Sequence, residues 1–200
     1  MGLHITKTDE TVYNPVFLKI LEDITGGITL KTDRVPSGTR EIKSGALLNR
    51  DSSTAGLYNL IKTAKLSAAV ASDATIMSVY NNHEFKTGEY MTFAAASGAS
   101  IVSITASTST LDVIVIAHQL TTALASGSVI YEAAAGGSSA ARYTADAILR
   151  DTVQVRNADL TTVQNVTAGA VVRGTVDESG LPYFVTDADK TSLTDRIRFA

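Results

Sequence analysis

Short β-rich runs separated by polar turns fill the chain from Tyr143 to Ala200, and this pattern constrains the fold more than any other feature. Such runs are too short for long helices and are typical of strands joined by turns. Thr186 is placed to cap one small helix, because Asp189 three residues later supplies the acid of a capping box. The alternation in Arg196-Ile-Arg-Phe then predicts a terminal strand. The segment therefore predicts β structure with a helix near 187–195.

The middle of the chain contains the clearest hairpin signal. Ile101-Val-Ser-Ile-Thr and Leu111-Asp-Val-Ile-Val-Ile-Ala are dense in β-branched residues, and the polar link Ala106-Ser-Thr-Ser-Thr joins them. Apolar residues stand at both odd and even positions of the second strand, so we expect cover on both of its faces. These positions are Leu111, Val113, Val115 and Ala117 on one face and Ile114 and Ile116 on the other.

Changes in composition along the chain predict its domain organisation. The run at 16–24 fits a short helix or a strand, and we interpret it as a helix near 17–24 that ends at Gly26-Gly27. The small-residue stretch at 133–142 is typical of a linker. We therefore expect a mainly β fold with short helices. The predicted parts are an N-terminal arm at 1–30, a discontinuous body at 31–74 plus 143–200, an inserted β-module at 75–132, and the linker at 133–142.

The charge balance and residue usage disfavour several kinds of partner. With 17 basic and 20 acidic residues the formal net charge is −3, and no basic block offers a footprint for nucleic acid. The absence of cysteine excludes disulfides and thiolate metal sites. No apolar run approaches the roughly 20 residues of a membrane helix, and the first ten residues lack the apolar region of a secretory signal. We expect no direct nucleic-acid or membrane partner.

Residue types that act in catalysis or bind metal ions do not cluster along the sequence. His4, His83 and His118 are far apart, and none has a His or Cys at the spacing of a compact zinc site. The aspartates stand at turns and caps, where their carboxylates bond backbone amides. Gly26-Gly27 and Gly136-Gly137 lack the Lys-Ser/Thr ending of a phosphate loop. We therefore predict no catalytic, cofactor-binding or metal-binding residues and no enzymatic function.

Four aromatic residues leave two interpretations open. They form either an exposed platform for a sugar or a protein surface, or part of the core, and we favour the core. They are Tyr131, Tyr143, Tyr183 and Phe184.

Two stretches resemble the head decoration proteins of tailed phages, the family typified by the small lambda capsid-stabilising protein. The first stretch, 31–66, contains Val35-Pro-Ser-Gly, Ile42-Lys-Ser-Gly-Ala-Leu-Leu-Asn-Arg-Asp and Gly56-Leu-Tyr. The second, 145–199, contains Ala147-Ile-Leu-Arg-Asp and Val171-Val-Arg-Gly-Thr-Val before the closing helix and strand. The chain departs from the family in its longer N-terminal lead and in the module at 75–132. That module resembles the β-modules of head or head-fibre proteins of Bacteroides-type phages.

The resemblance implies a structural role on the virion. Family members dock on the outside of the expanded capsid at local three-fold positions, as homotrimers, and cement neighbouring major capsid subunits. It implies synthesis in the host cytoplasm and the major capsid protein as partner. It also implies that the N-terminal arm orders against the capsid on docking. The expected contact residues are the apolar residues of that arm, Leu3, Ile5, Tyr13, Val16 and Phe17.

The sequence is also compatible with a second function. A head-fibre or tail module that binds a host receptor or glycan would present aromatics or a groove on residues 83–131. A cement protein would instead concentrate its contacts near the N-terminal arm. An enzyme would need convergent Asp, His and Ser residues, of which the sequence gives no sign.

Overall fold

A computed structural model describes residues 15–92, 98–156 and 165–200. The fold is mainly β, as the sequence predicts, with a single α-helix and a short 3-10 turn (Glu178–Gly180) in those ranges. The helix, α1, spans Asp187–Leu193. The strands in chain order are β1 Phe17–Asp23, β2 Ile28–Leu30, β3 Glu41–Ile42, β4 Leu47–Arg50, β5 Leu57–Leu60, β6 Thr63–Lys65, β7 Ile76–Tyr80, β8 Tyr90–Thr92, β9 Ala99–Ala106, β10 Leu111–Ile116, β11 Val129–Glu132, β12 Ala147–Leu149, β13 Val153–Gln154, β14 Val166–Ala168, β15 Ala170–Val176 and β16 Ile197–Phe199.

An eight-stranded sheet combines β1, β2, β4 and β5 with β12, β14, β15 and β16. Its order is β1-β15-β12-β4-β5-β2-β14, and β16 lies parallel beside β15. Successive side chains of its central strands enter different apolar clusters: Leu47 lies in one and Leu48 in the other. Helix α1 contributes Leu193 to the first cluster, and Tyr183 belongs to the second together with residues of the small β3–β13 ribbon. Both faces of the sheet are therefore covered at its centre.

The other large sheet curls into a small barrel. Its order is β6-β11-β8-β9-β10-β7. The end strands meet, because Leu66 and Val79 form an antiparallel bridge and the Ser67 amide donates to the Ser78 carbonyl at 3.0 Å. Alternate side chains of β7 point inward, so Met77 and Val79 are buried. They pack with the inward residues of the other barrel strands in a third apolar cluster.

The predicted hairpin at 101–117 is confirmed as the antiparallel pair β9–β10. Ile114 and Ile116 face the barrel core and are buried. Val113 and Val115, on the other face, are only half-buried. This face is therefore less completely buried than the sequence predicts.

Strand pairing places two boundaries differently from the predicted parts. The barrel begins at β6, ahead of residue 75, because the strand that follows Lys62 pairs with β11. Within the predicted arm, β1 and β2 pair with β15 and β5 and so belong to the sheet. The segment at 133–142 folds back on itself through an Ala133–Ala141 bridge.

The helix predicted near 17–24 is wrong, because these residues form β1. Apolar residues at 17, 18, 20, 21 and 24 match helical spacing, but an isolated helix of this length is marginal in water. Pairing with β15 instead satisfies the backbone groups along one side of the segment.

The helix predicted near 187–195 is confirmed, and so is its cap. The Asp189 amide donates to the Thr186 hydroxyl at 3.1 Å, and the Thr186 amide donates to the Asp189 carboxylate at 3.2 Å. Leu193 is fully buried under the sheet.

Replacing Thr186 with alanine is expected to lower the free energy of unfolding by about 1 kcal/mol. The change removes an acceptor for the Asp189 amide and a donor to the buried Asp189 carboxylate. Urea denaturation followed by circular dichroism measures the difference. Thr191→Ala is the matched control, since the Thr191 hydroxyl donates only to the Asp187 carbonyl on the exposed side of the helix. Equal losses in both variants would show that the cap does not stabilise the helix.

Buried charges fill the junction between the sheet and the barrel. The Lys62 side chain is 0 % exposed, and its ammonium donates to the Glu89 carboxylate and the Arg34 carbonyl, both at 2.5 Å. Arg34 pairs with Glu89 at 3.2 Å and also with Glu132. Arg142 lies 3.5 Å from the same Glu132 oxygen. These five residues are called the junction cluster.

Further hydrogen bonds join the barrel to the rest of the protein near the junction cluster. Glu84 accepts from the Thr39 hydroxyl at 2.8 Å and from the Tyr183 hydroxyl at 3.2 Å. Burial raises the pKa of the Glu84 carboxyl, and these two donors oppose the rise. On the same side of the barrel, Asn82 donates to the Pro182 carbonyl. Hydrogen bonds and ion pairs therefore contribute to the contact between the two sheets.

Candidate docking surface

Strand β1 lies at the end of the eight-stranded sheet. Its residues pair antiparallel with β15, from Phe17 opposite Val176 to Asp23 opposite Val171. Among the described residues no strand pairs with its other side, which is called the open edge of β1. An open edge presents backbone donors and acceptors that another chain can bond.

The open edge is flanked by exposed apolar side chains. Leu18 is 55 % exposed, Ile20 44 % and Leu21 56 %. Leu18 and Leu21 fall at the register shifts between Phe17 and Lys19 and between Ile20 and Glu22. Bulges of this kind re-aim side chains at sheet edges. In a regular strand Leu18 and Leu21 would lie on opposite faces, whereas here both are exposed.

Both ends of β1 are fixed to the body. At the start, the Val16 carbonyl accepts from the Asp177 amide at 2.9 Å. At the end, the Ile24 amide donates to the Ala170 carbonyl at 2.9 Å, and Asp23 pairs with the Arg150 guanidinium at 2.5 Å. Aspartates 23 and 151, both bonded to Arg150, raise the pKa of that guanidinium, with Asp151 the larger cause. The exposed apolar residues are therefore held in a defined position.

A groove of about 460 Å³ runs beside the start of β1. Residues of β1 line it together with the cationic residues Lys43 and Arg150. The lining residues are Pro15, Val16, Phe17, Ile20, Lys43, Ser44, Arg150, Asp151, Thr152, Gly180 and Pro182.

The predicted arm residues have different outcomes. Leu3, Ile5 and Tyr13 lie outside the described residues. Val16 and Phe17 are half-buried and pack against the cluster that contains Leu193, so they hold β1 to the body. The sequence pattern did not single out the exposed residues Leu18, Ile20 and Leu21.

Of the histidines, His83 has polar partners within the protein. His83 is buried, its Nδ1 accepts from the Phe85 amide at 3.2 Å, and its Nε2 lies 3.2 Å from Asp112. Burial lowers the pKa of His83, and Asp112 opposes that shift. His118 is exposed, and His4 lies outside the described residues. In the described ranges, no group of three or more His, Cys, Asp or Glu residues is arranged to hold a metal ion. No helix there is long and apolar enough to cross a membrane.

The four aromatic residues do not form one platform. Tyr183 is buried, whereas Tyr131, Tyr143 and Phe184 are half-buried. The Phe184 ring lies 6.0 Å from that of Tyr80 and 5.3 Å from the Lys65 ammonium, so it helps to join barrel and body.

Comparisons with protein-family models, with curated protein sequences and with solved structures find no match to this chain.

Proposed function

We propose that this protein is a capsid decoration protein of a tailed phage. It adds to the outer surface of the expanded head at local three-fold sites and stabilises the contacts between major capsid subunits. The observation that carries this proposal is the open edge of β1, whose exposed Leu18, Ile20 and Leu21 lie within the predicted arm at 1–30. The resemblance of 31–66 and 145–199 to head decoration proteins supports the major capsid protein as the partner.

Docking proceeds by strand addition at β1. An extended segment of the major capsid protein pairs with the open edge, and main-chain hydrogen bonds supply affinity. Its apolar side chains cover Leu18 and Leu21, which removes apolar surface from water. The bonds that fix both ends of β1 hold the strand in position before docking, which lowers the ordering cost of binding.

Assembly on the shell multiplies weak contacts. In a trimer, three β1 strands engage one three-fold site, so release of one strand leaves the others bound. The part of the predicted arm that precedes β1 would add further capsid contacts, with Leu3, Ile5 and Tyr13 as its apolar residues.

Reconstitution tests this proposal. The purified chain is added to expanded shells of the major capsid protein from the same phage, and the mixture is imaged by cryo-electron microscopy. We expect regular extra density at local three-fold sites, with β1 next to the shell. Undecorated shells, or decoration through another face of the protein, would refute the proposal.

Replacing Leu18 and Leu21 together with serine is expected to weaken binding to these shells by at least about tenfold, or about 1.4 kcal/mol. Both side chains are exposed in the free protein, so the stability of the free chain changes little. Co-sedimentation across a range of protein concentrations measures the affinity. Val102→Ser is the matched control, because Val102 is 52 % exposed on the barrel.

Surface variants also distinguish decoration from the second candidate function, a head-fibre or tail module that binds a host receptor or glycan. The observation in its favour is the exposed outer face of the barrel, where Ile76 is 59 % and Tyr80 40 % exposed. For that function, Val102→Ser and Ile76→Ser lower binding to host cells and the leucine variant does not.

A further inference from the structure

Both chain connections between the sheet and the barrel pass through the junction cluster. Lys62 lies between β5 of the sheet and β6 of the barrel, and Glu132 is the last residue of β11. The Glu132 amide donates to the Lys62 carbonyl at 3.2 Å, so the two connections lie side by side. Arg34, from the loop after β2, contacts Glu89 of the barrel and Glu132. The cluster is therefore placed where any movement of the barrel relative to the sheet must begin.

Charge is unbalanced in this buried cluster. Its cations are Arg34, Lys62 and Arg142, and its anions are only Glu89 and Glu132. The Lys62 side chain has no exposed surface, so bulk water does not solvate its charge, whereas the side chains of Arg34 and Arg142 are 24 % and 33 % exposed. Burial lowers the pKa of Lys62 to about 8, although Glu89 acts in the opposite direction.

Other charged groups around Lys62 do not supply the missing negative charge. Lys86, in the loop before β8, adds positive charge and also lowers the Lys62 pKa. Glu84 lies in the same loop, but burial favours its neutral form. His83 is held beside Asp112 on the far side of that loop, and the nearby charge of Lys62 helps to lower its pKa.

A cavity of about 190 Å³ lies against both connections. Lys62 and Glu132 line it together with Tyr131, Tyr143 and Asp189. Space next to the two connections allows their side chains to move without displacing the apolar cores.

We propose that the junction is a proton-controlled latch, in which loss of the proton from Lys62 holds the barrel more tightly against the sheet. A neutral amine still has two N–H donors, so it keeps its hydrogen bonds to Glu89 and the Arg34 carbonyl. The cost of burying a charge disappears at the same time. The latch is independent of the function proposed for β1.

The direction of the pH effect follows from proton binding. In an open junction Lys62 is hydrated and has an ordinary pKa near 10.5, whereas in the closed junction its pKa is about 8. Between these values the closed form binds fewer protons, so rising pH favours closure. Well below pH 8 both forms are protonated and the balance does not change. At pH 9 the open population is lower than at pH 7 by about tenfold.

Hydrogen–deuterium exchange of the full chain at pH 7 and pH 9 tests the latch. After correction for the chemical exchange rate, amides at 61–64 and 132–142 are expected to exchange about tenfold more slowly at pH 9. Lys62→Met is expected to lose this pH dependence. It leaves two arginines facing two carboxylates and is therefore expected to fold. Lys65→Met is the matched control, since the Lys65 ammonium lies over Phe184 outside the cluster, and it should behave like the natural chain.

Two results would overturn the latch. One is equal corrected exchange in the natural chain at both pH values. The other is a slowing that persists in Lys62→Met, which would assign the pH effect to another group. A titration of the Lys62 side chain by nuclear magnetic resonance gives an independent check, because a midpoint near that of an ordinary lysine would also contradict the proposal.

Discussion

Replacing Glu89 with glutamine is expected to lower the free energy of unfolding by about 3–5 kcal/mol. Glu89 is the carboxylate that bonds Lys62 and Arg34, and its side chain is 6 % exposed. Glutamine keeps the shape but removes the negative charge, which leaves three buried or half-buried cations facing Glu132 alone. Urea denaturation at pH 7, followed by circular dichroism, measures the loss.

Two variants show whether the loss comes from buried charge. Glu178→Gln removes a carboxylate whose side chain is 48 % exposed and which pairs with Lys190 at 2.6 Å, so its expected cost is below about 1 kcal/mol. Lys62→Met removes the excess cation and leaves the remaining charges balanced, so it is expected to be near neutral or stabilising. If Glu89→Gln cost no more than Glu178→Gln, the junction cluster would not contribute to stability.

Replacing Gly174 with alanine is expected to separate β1 from β15 and to lower the free energy of unfolding by about 1–3 kcal/mol. A Cβ atom at this position would lie 2.5 Å from the Lys19 carbonyl oxygen. Because that oxygen belongs to the backbone, relief requires β1 itself to move. Hydrogen exchange is expected to show lost protection along β1 while the barrel amides remain protected, and shell binding through β1 should fall with it.

Gly38→Ala is the control for this substitution. A Cβ atom at Gly38 meets no neighbour within 4 Å, and its φ is not in the left-handed region. Alanine there is expected to be neutral or slightly stabilising, because it restricts the unfolded chain. A Gly174→Ala variant with intact β1 protection would show that the strand tolerates the added methyl group.

Local patterns were predictable from the sequence, whereas long-range pairings were not. The cap of α1 was predicted because Thr186 and Asp189 are three residues apart and act within one turn. The β9–β10 hairpin was predicted because its strands are adjacent in the chain. Strand β1 was misassigned because its identity depends on β15, which lies near the other end of the chain.

The junction cluster and the candidate docking surface were missed for the same physical reason. Arg34, Lys62, Glu89 and Glu132 are far apart in sequence, and each alone matches a solvent-exposed charge. Only the closure of the barrel against the sheet brings them together. Similarly, Leu18 and Leu21 lie at register shifts in β1, and the spacing of apolar residues in the sequence does not predict such shifts.

Because its two chain connections lie side by side, the barrel has the form of a domain inserted between two strands of the sheet. The chain leaves the sheet at Lys62 and returns after Glu132, and these residues are joined by a backbone hydrogen bond. Excision of the intervening segment would leave two ends that a short turn can link, with the strand order of the sheet unchanged. A replacement domain would need termini that lie equally close and a carboxylate that pairs with Lys62 and Arg34, as Glu89 does. The sheet can thus serve as a constant base on which lineages, or protein engineers, exchange the displayed domain.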